Sequence, residues 1–183
     1  DICIVGTTCL CDSCKKNMVE AGIDPYNEEE NKKYFTEKRI AFMSKCESIM
    51  RKYHPNATIF FNSGGADQYR PEYHPNQTHF EMEDLPTAWG GYDKLPLRAK
   101  FFSRTGKPFL GMTGKFHQGW GEFGGYKHPN ALIYETALSV ASGAGCSIGD
   151  QMHPLSELNM ATYNLIGKAY ALIEEKEPWL NGA

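Results

Sequence analysis

The feature that most constrains this chain is an alternation: short apolar runs rich in Ile, Phe and Val recur, each followed by a turn containing Gly, Asn or Asp and then by helical spacing. Such alternation means βα units, and therefore a parallel sheet with right-handed crossovers. The strand-like runs cover residues 2–5, 58–62, 78–83, 108–112 and 144–149. Helices are predicted over about residues 28–53, 92–105, 129–142 and 159–175, the last stopping before Pro178. In the first of them Tyr34, Ile40, Phe42, Met43, Ile49 and Met50 are read along one face. His54-Pro55-Asn56 ends that helix, because Pro cannot continue the hydrogen-bond ladder.

A parallel sheet of this kind is either open and doubly wound or closed into a barrel. Polar and aromatic groups follow several successive strands: Asn62-Ser63-Gly64-Gly65, Glu83-Asp84, Lys115-Phe116-His117 and Asp150-Gln151-Met152-His153. A barrel brings all such loops to one mouth, whereas an open sheet concentrates its site at a switch point. The pattern therefore favours α/β architecture of the partial (β/α)8 TIM-barrel type, about the last four βα units. Gly119-Trp120-Gly121 and Gly124-Gly125 follow a late strand and are interleaved with aromatics, which is not a dinucleotide-binding fingerprint. Four complete strands and a strand tail cannot close a barrel of eight. Either further strands lie outside this segment or another copy covers the open edges, so a homo-oligomer is expected.

Length and charge narrow the function classes. The 183 residues suit one domain, and the formal net charge of -3 with scattered basic residues gives no pull toward nucleic acid or an anionic membrane. No apolar run approaches the roughly 20 residues of a spanning helix, and a cytoplasmic location is expected. Aromatic residues make up 13% of the chain, enough to supply stacking platforms for a saccharide as well as an ordinary core.

The tract FLGMTGKFHQGWGEFGGYKHPNALIYETALSVASGAGCSIGDQMHP resembles glycoside hydrolases related to the α-L-fucosidases, which carry a β-galactosidase-type trimerisation domain downstream. The opening Asp1-Ile2, the cluster Cys9-Leu10-Cys11-Asp12-Ser13-Cys14, the run Phe60-Phe61-Asn62-Ser63-Gly64 and the tail Glu177-Pro178-Trp179 fit the same group. The resemblance implies that residues 1–183 form the C-terminal half of a catalytic barrel, beginning at the end of its fourth strand. It further implies a carbohydrate substrate, and a catalytic Asp nucleophile at the position of Asp1. The competing reading of Asp1 is a solvated terminal residue.

Glycoside cleavage generally needs two carboxyl groups flanking the scissile bond. Glu81 and Glu83 alternate with Phe80 and Met82, so a strand points both acids to one side, into the lumen of a barrel. Glu83, nearer the strand end, is the expected general acid and Glu81 a supporting hydrogen-bonder; a lumenal salt bridge is the alternative. Asn62, Lys115, His117, Trp120, Asp150 and His153 follow strand ends and are candidates for binding substrate, with Trp120 stacking on a sugar face. Their ordinary alternatives are loop packing for Trp120 and a turn or cap for Asp150. A non-catalytic carbohydrate-binding or assembly half-barrel is the second function. A metal-dependent hydrolase is a distant third, since the histidines lack ligand-pair spacing.

Cys9, Cys11 and Cys14 form C-x-C-x-x-C, a spacing that grips a structural zinc if a fourth ligand is supplied, with Cys3 or Cys46 the available thiols. The resembling β-galactosidases have a similar zinc-binding cluster after the same strand. Free thiols or a disulfide are the alternatives. No catalytic cofactor is expected.

Overall fold

The computed structural model describes residues 2–3, 8–62 and 67–180. It divides into two compact units, Asp1–His79 and Phe80–Ala183, each with its own parallel strand pairing. The architecture is mixed α/β, as the alternation predicts.

In the first unit, β1 (Ile2–Cys3) pairs in parallel with β2 (Phe61–Asn62). Between them lie α1 (Asp12–Glu20) and α2 (Glu28–Tyr53). Asn27 starts α2, its Oδ1 accepting from the backbone N–H groups of Glu29 and Glu30, while Glu28, Glu29 and Glu30 meet the positive end of the helix dipole. His54 ends the helix before Pro55. Its inner stripe of Ile40, Met43, Cys46 and Met50 packs with Ile59, Phe61 and Tyr73. Phe42 and Ile49 do not join that stripe: each directly precedes Met43 or Met50, a rotation of about 100° on a helix, and both are exposed.

Strand β2 is shorter than the apolar run 58–62 suggests, because other groups take the ladder's place. The Ile59 N–H donates to the Thr78 hydroxyl at 2.8 Å, the Ile59 carbonyl accepts from Thr78 N–H at 3.1 Å, and Phe61 N–H donates to Gln77 Oε1 at 3.2 Å. A 3₁₀ turn over Pro71–Asn76 supplies Tyr73 to the core and leads into these residues.

The second unit is built on the parallel sheet β3 (Phe80–Glu83), β4 (Phe109–Gly114) and β5 (Gly145–Gly149), in that spatial order. Glu83 pairs with Met112 and Gly114 with Gly149, so the three carboxyl ends lie along one edge. The crossovers are α3 (Lys94–Phe102) and α4 (Pro129–Ala141), and α5 (Met160–Glu174) follows β5 and packs on α4. A short α6 (Glu177–Leu180) contains Pro178 in its first turn, where a missing N–H is tolerated. Phe80 and Met82 are fully buried, Phe80 stacking on Phe102 at 4.6 Å, while the alternate residues Glu81 and Glu83 are half-buried on the other face. That is the alternation expected of a strand with one apolar face.

The single charged residue of α4, Glu135, is buried and meets buried Lys127 at 2.6 Å. The Lys127 ammonium also donates to Thr113 Oγ1 at 2.9 Å, Thr113 Oγ1 donates to Glu135 at 2.6 Å, and the Tyr92 hydroxyl donates to the other Glu135 oxygen at 3.1 Å. Replacing Lys127 by Met strips a buried carboxylate of its countercharge; we expect a loss of about 3–5 kcal/mol in urea denaturation of the chain. A loss under about 1 kcal/mol, the range of exposed pairs, contradicts this.

Candidate functional site

The carboxyl edge of the β3–β4–β5 sheet gathers most of the residues expected at a site. The loop from Lys115 to Lys127 begins and ends in register with the sheet: Lys115 N–H donates to the Gly149 carbonyl at 3.0 Å, and Lys127 N–H donates to the Lys115 carbonyl at 2.6 Å. The intervening segment folds over the edge. Trp120 Nε1–H donates to Glu83 Oε1 at 2.6 Å, a short charge-assisted bond. Its ring lies edge-on to buried Phe116, centroids 4.8 Å apart, and covers the Cα of Gly149 so closely that a Cβ there would stand 2.1 Å from the ring. Gln151 Nε2–H donates to the Trp120 carbonyl. Trp120 is thus clamped from four sides, and it orients Glu83 instead of lying open as a stacking platform.

Lys115 is 2% exposed. Its ammonium donates to the Phe123 carbonyl at 3.0 Å, faces the Asp150 carboxylate at 3.9 Å and sits over the Tyr126 ring at 4.8 Å. Asp150 does form a turn as well, accepting from the Gln151 N–H at 2.8 Å. A cleft of about 420 Å³ opens beside this pair, lined by Lys115, Phe123, Asp150, Gln151, His153 and Tyr163 among others. His153 is exposed on the cleft wall, its Nδ1 accepting from Leu155 N–H at 3.2 Å. His117 is exposed, and it is the His117 carbonyl, accepting from Thr87, that is bonded to the rest of the unit.

Asp84 is a site-edge acid that spacing did not single out. It shares the core-facing side of β3 with Phe80 and Met82, is 1% exposed and lies 3.7 Å from the Lys94 ammonium. Gly90, at φ +94°, leaves it room: a Cβ there would stand 2.4 Å from Asp84 Oδ1. Burial pushes the carboxyl up to about 6, against the downward pull of Lys94 and Arg98. The other residues missing from the sequence expectations are Lys127 and Glu135. Glu135 alone carried a signal, as a lone charge in an apolar helix.

In the first unit, Asp1 lies outside the described residues. Asn62 ends β2 and is half-buried. The Sγ atoms of Cys9, Cys11 and Cys14 all lie within 4.8 Å of one another. Cys11 is the N-cap of α1 and Cys14 stands three residues on, so one helical turn brings both thiols to the same side. Buried Asn31 fixes the approach, its Nδ2–H donating to the Pro25 carbonyl at 2.8 Å and the Cys9 carbonyl at 3.4 Å. Hydrogen bonds from the Cys14 backbone and then from the Cys14 and Cys9 thiols hold Cys11 below the usual thiol range. Cys14 is pushed up to about 12, first by its hydrogen bond to Cys11. The described cysteines are free thiols. A tetrahedral zinc–thiolate site needs Sγ atoms about 3.8 Å apart, which this cluster meets with small side-chain rotations. Cys46 is not in the cluster; it packs against the Met43–Tyr73 core. The Cys3 side chain lies outside what is described.

Fold and site together define a mixed α/β protein with a carboxylate, an indole and a lysine-based cleft along one strand-end edge. No family model matches the sequence and no curated protein matches it. Among solved structures it is similar to alpha-L-fucosidase isoenzyme 2 from Paenibacillus thiaminolyticus, with 48% identity and a TM-score of 0.92. That match covers 98% of this chain and 27% of the fucosidase chain. The chain is therefore a relative of the α-L-fucosidase glycoside hydrolases, spanning about a quarter of that enzyme's length.

Asp84 yields a pH-dependent expectation. Its folded value lies above that of an unfolded Asp, so its contribution to stability is fully present below about pH 4 and is lost as pH rises through about 6. The Asp84→Asn variant should therefore gain on the unmodified chain by about 2–3 kcal/mol between pH 4 and 7, read from urea denaturation at several pH values. A difference that stays flat over that window counts against a raised Asp84.

Proposed function

We propose that this chain is the later half of a (β/α)8-barrel catalytic domain in a glycoside hydrolase that removes a terminal α-L-fucosyl or galactose-like residue. The observation that carries the reading is the short Trp120–Glu83 bond at the carboxyl edge of a parallel sheet, in a chain 48% identical to an α-L-fucosidase. A general acid must hold a fixed position against the glycosidic oxygen, and the indole donor on its carboxylate fixes that position. Glu83 is assigned the acid, Glu81 on the same face a supporting role, and Asp1 the nucleophile. Asn62, Lys115, His117, Asp150 and His153 are assigned to hydroxyl binding.

Turnover of nitrophenyl α-L-fucoside and β-galactoside, by this chain and by a longer chain that restores upstream strands, tests the reading. Glu83→Gln should lower kcat/KM by about 10²–10⁴-fold. An undiminished rate removes Glu83 from the acid's role. Sugar binding without turnover in either chain favours the non-catalytic binding or assembly half-barrel.

Cys9, Cys11 and Cys14 are assigned a structural zinc, whose role there is to cross-link the segment before α1 to the helix. Zinc measured on the purified chain should approach about one equivalent and fall on Cys14→Ser, with a lower Tm after chelation. A zinc-free chain whose melting ignores chelator removes the metal.

A further inference from the structure

Glu83 and the cleft are joined through one residue. Trp120 donates from its indole to Glu83 and accepts at its carbonyl from Gln151, and Gln151 lines the cleft together with Asp150 and Lys115. In glycoside cleavage the general acid protonates the leaving-group oxygen, so the space on the acid's side belongs to the departing group and not to the sugar left behind. Resting on the glycosidase reading, we infer that the cleft lined by Lys115, Asp150, Gln151, Phe123 and Tyr163 is the leaving-group subsite, built for a hydroxylated ring such as a hexose.

The cleft's chemistry suits that occupant. Lys115 offers a nearly buried ammonium, and its 3.9 Å separation from Asp150 is longer than a hydrogen bond. A hydroxyl fits between the two, donating to the carboxylate and accepting from the ammonium. Gln151 Oε1 is shielded from solvent and accepts no hydrogen bond from any described residue. A buried acceptor in that state costs free energy until a donor reaches it, and a ligand hydroxyl is such a donor. Phe123 and Tyr163, 65% and 46% exposed, flank these groups with ring surface of the kind that covers the apolar face of a sugar. An apolar leaving group would leave the Gln151 amide oxygen unanswered.

The test separates the leaving group from the cleaved sugar. The polypeptide at its full natural length is assayed with an α-L-fucosyl galactose disaccharide and with α-L-fucosyl fluoride, whose leaving group is a single atom. In Tyr163→Ala, and independently in Phe123→Ala, the ratio of kcat/KM for the disaccharide to that for the fluoride should fall about tenfold, the size of one lost contact. Both side chains are substantially exposed, so neither change threatens folding. A ratio that holds in both variants overturns the subsite while leaving the glycosidase reading intact. Hydrolysis of neither compound by the unmodified protein overturns the α-L-fucosidase form of the reading, on which this subsite rests, and the subsite falls with it.

Discussion

The second unit depends on the ion pair between Lys127 and Glu135. Both side chains are essentially dry and 2.6 Å apart, and their remaining valences are taken by Thr113 and Tyr92. A buried pair with incomplete partners is a net burden; one with this many is tolerated, and it fixes geometry that apolar contacts would leave loose. Here the geometry concerns a loop of glycine and aromatic residues with no regular structure of its own. Lys127 pins the end of that loop to β4 and α4, and its N–H pins it to Lys115, where the loop begins. Everything between those anchors, Trp120 included, inherits its position from this neck.

The same logic of a closed neck explains why few apolar contacts suffice at the strand-end edge. Phe116 is buried beneath Trp120 and supplies the hydrophobic floor. Above it the contacts are directional: indole to carboxylate, amide to carbonyl, ammonium to carbonyl. Directional contacts set where a group points more sharply than area burial does, and here they hold the Glu83 carboxylate in one orientation. Asp84, one residue beyond Glu83 and on the opposite face, shows the contrast. Its carboxyl is enclosed under the β3–α3 connection, where burial pushes it up to about 6, and its neighbour across the strand is polarised by a donor.

Much of this was legible in the residues. Periodicity and punctuation locate α2, α4 and α5 to within a residue or two, because long amphipathic stretches with Asn or His-Pro starts and Gly or Pro stops signal through local chemistry. Alternation in Phe80–Glu83 likewise fixes which side chains share a face. The shortfalls have equally local causes. Residues 58–60 look like strand, yet Ile59 makes its hydrogen bonds to Thr78, outside any ladder, and α1 hides beneath a cysteine cluster that reads only as ligand spacing. At the site, Glu83, Lys115 and Asp150 were visible as strand-end polar residues. Lys127 was not, and neither the partner of Gln151 nor the enclosure of Asp84 could be read there, since these lie in contacts 8 to 31 residues away or, for Asp84, in the burial of one strand face.

The closeness of Trp120 to Gly149 carries a consequence for how this edge can change over generations. The indole occupies the volume that a side chain at 149 would need, so the two positions form one steric unit divided between a loop and a strand. Neither can be altered alone in the direction of greater bulk. A shrinkage at 120 opens space that a side chain at 149 can then claim, after which the original ring has no route back. Substitution at this pair therefore acts as a ratchet, and the order in which the two changes arise decides whether an intermediate still holds Glu83 in place.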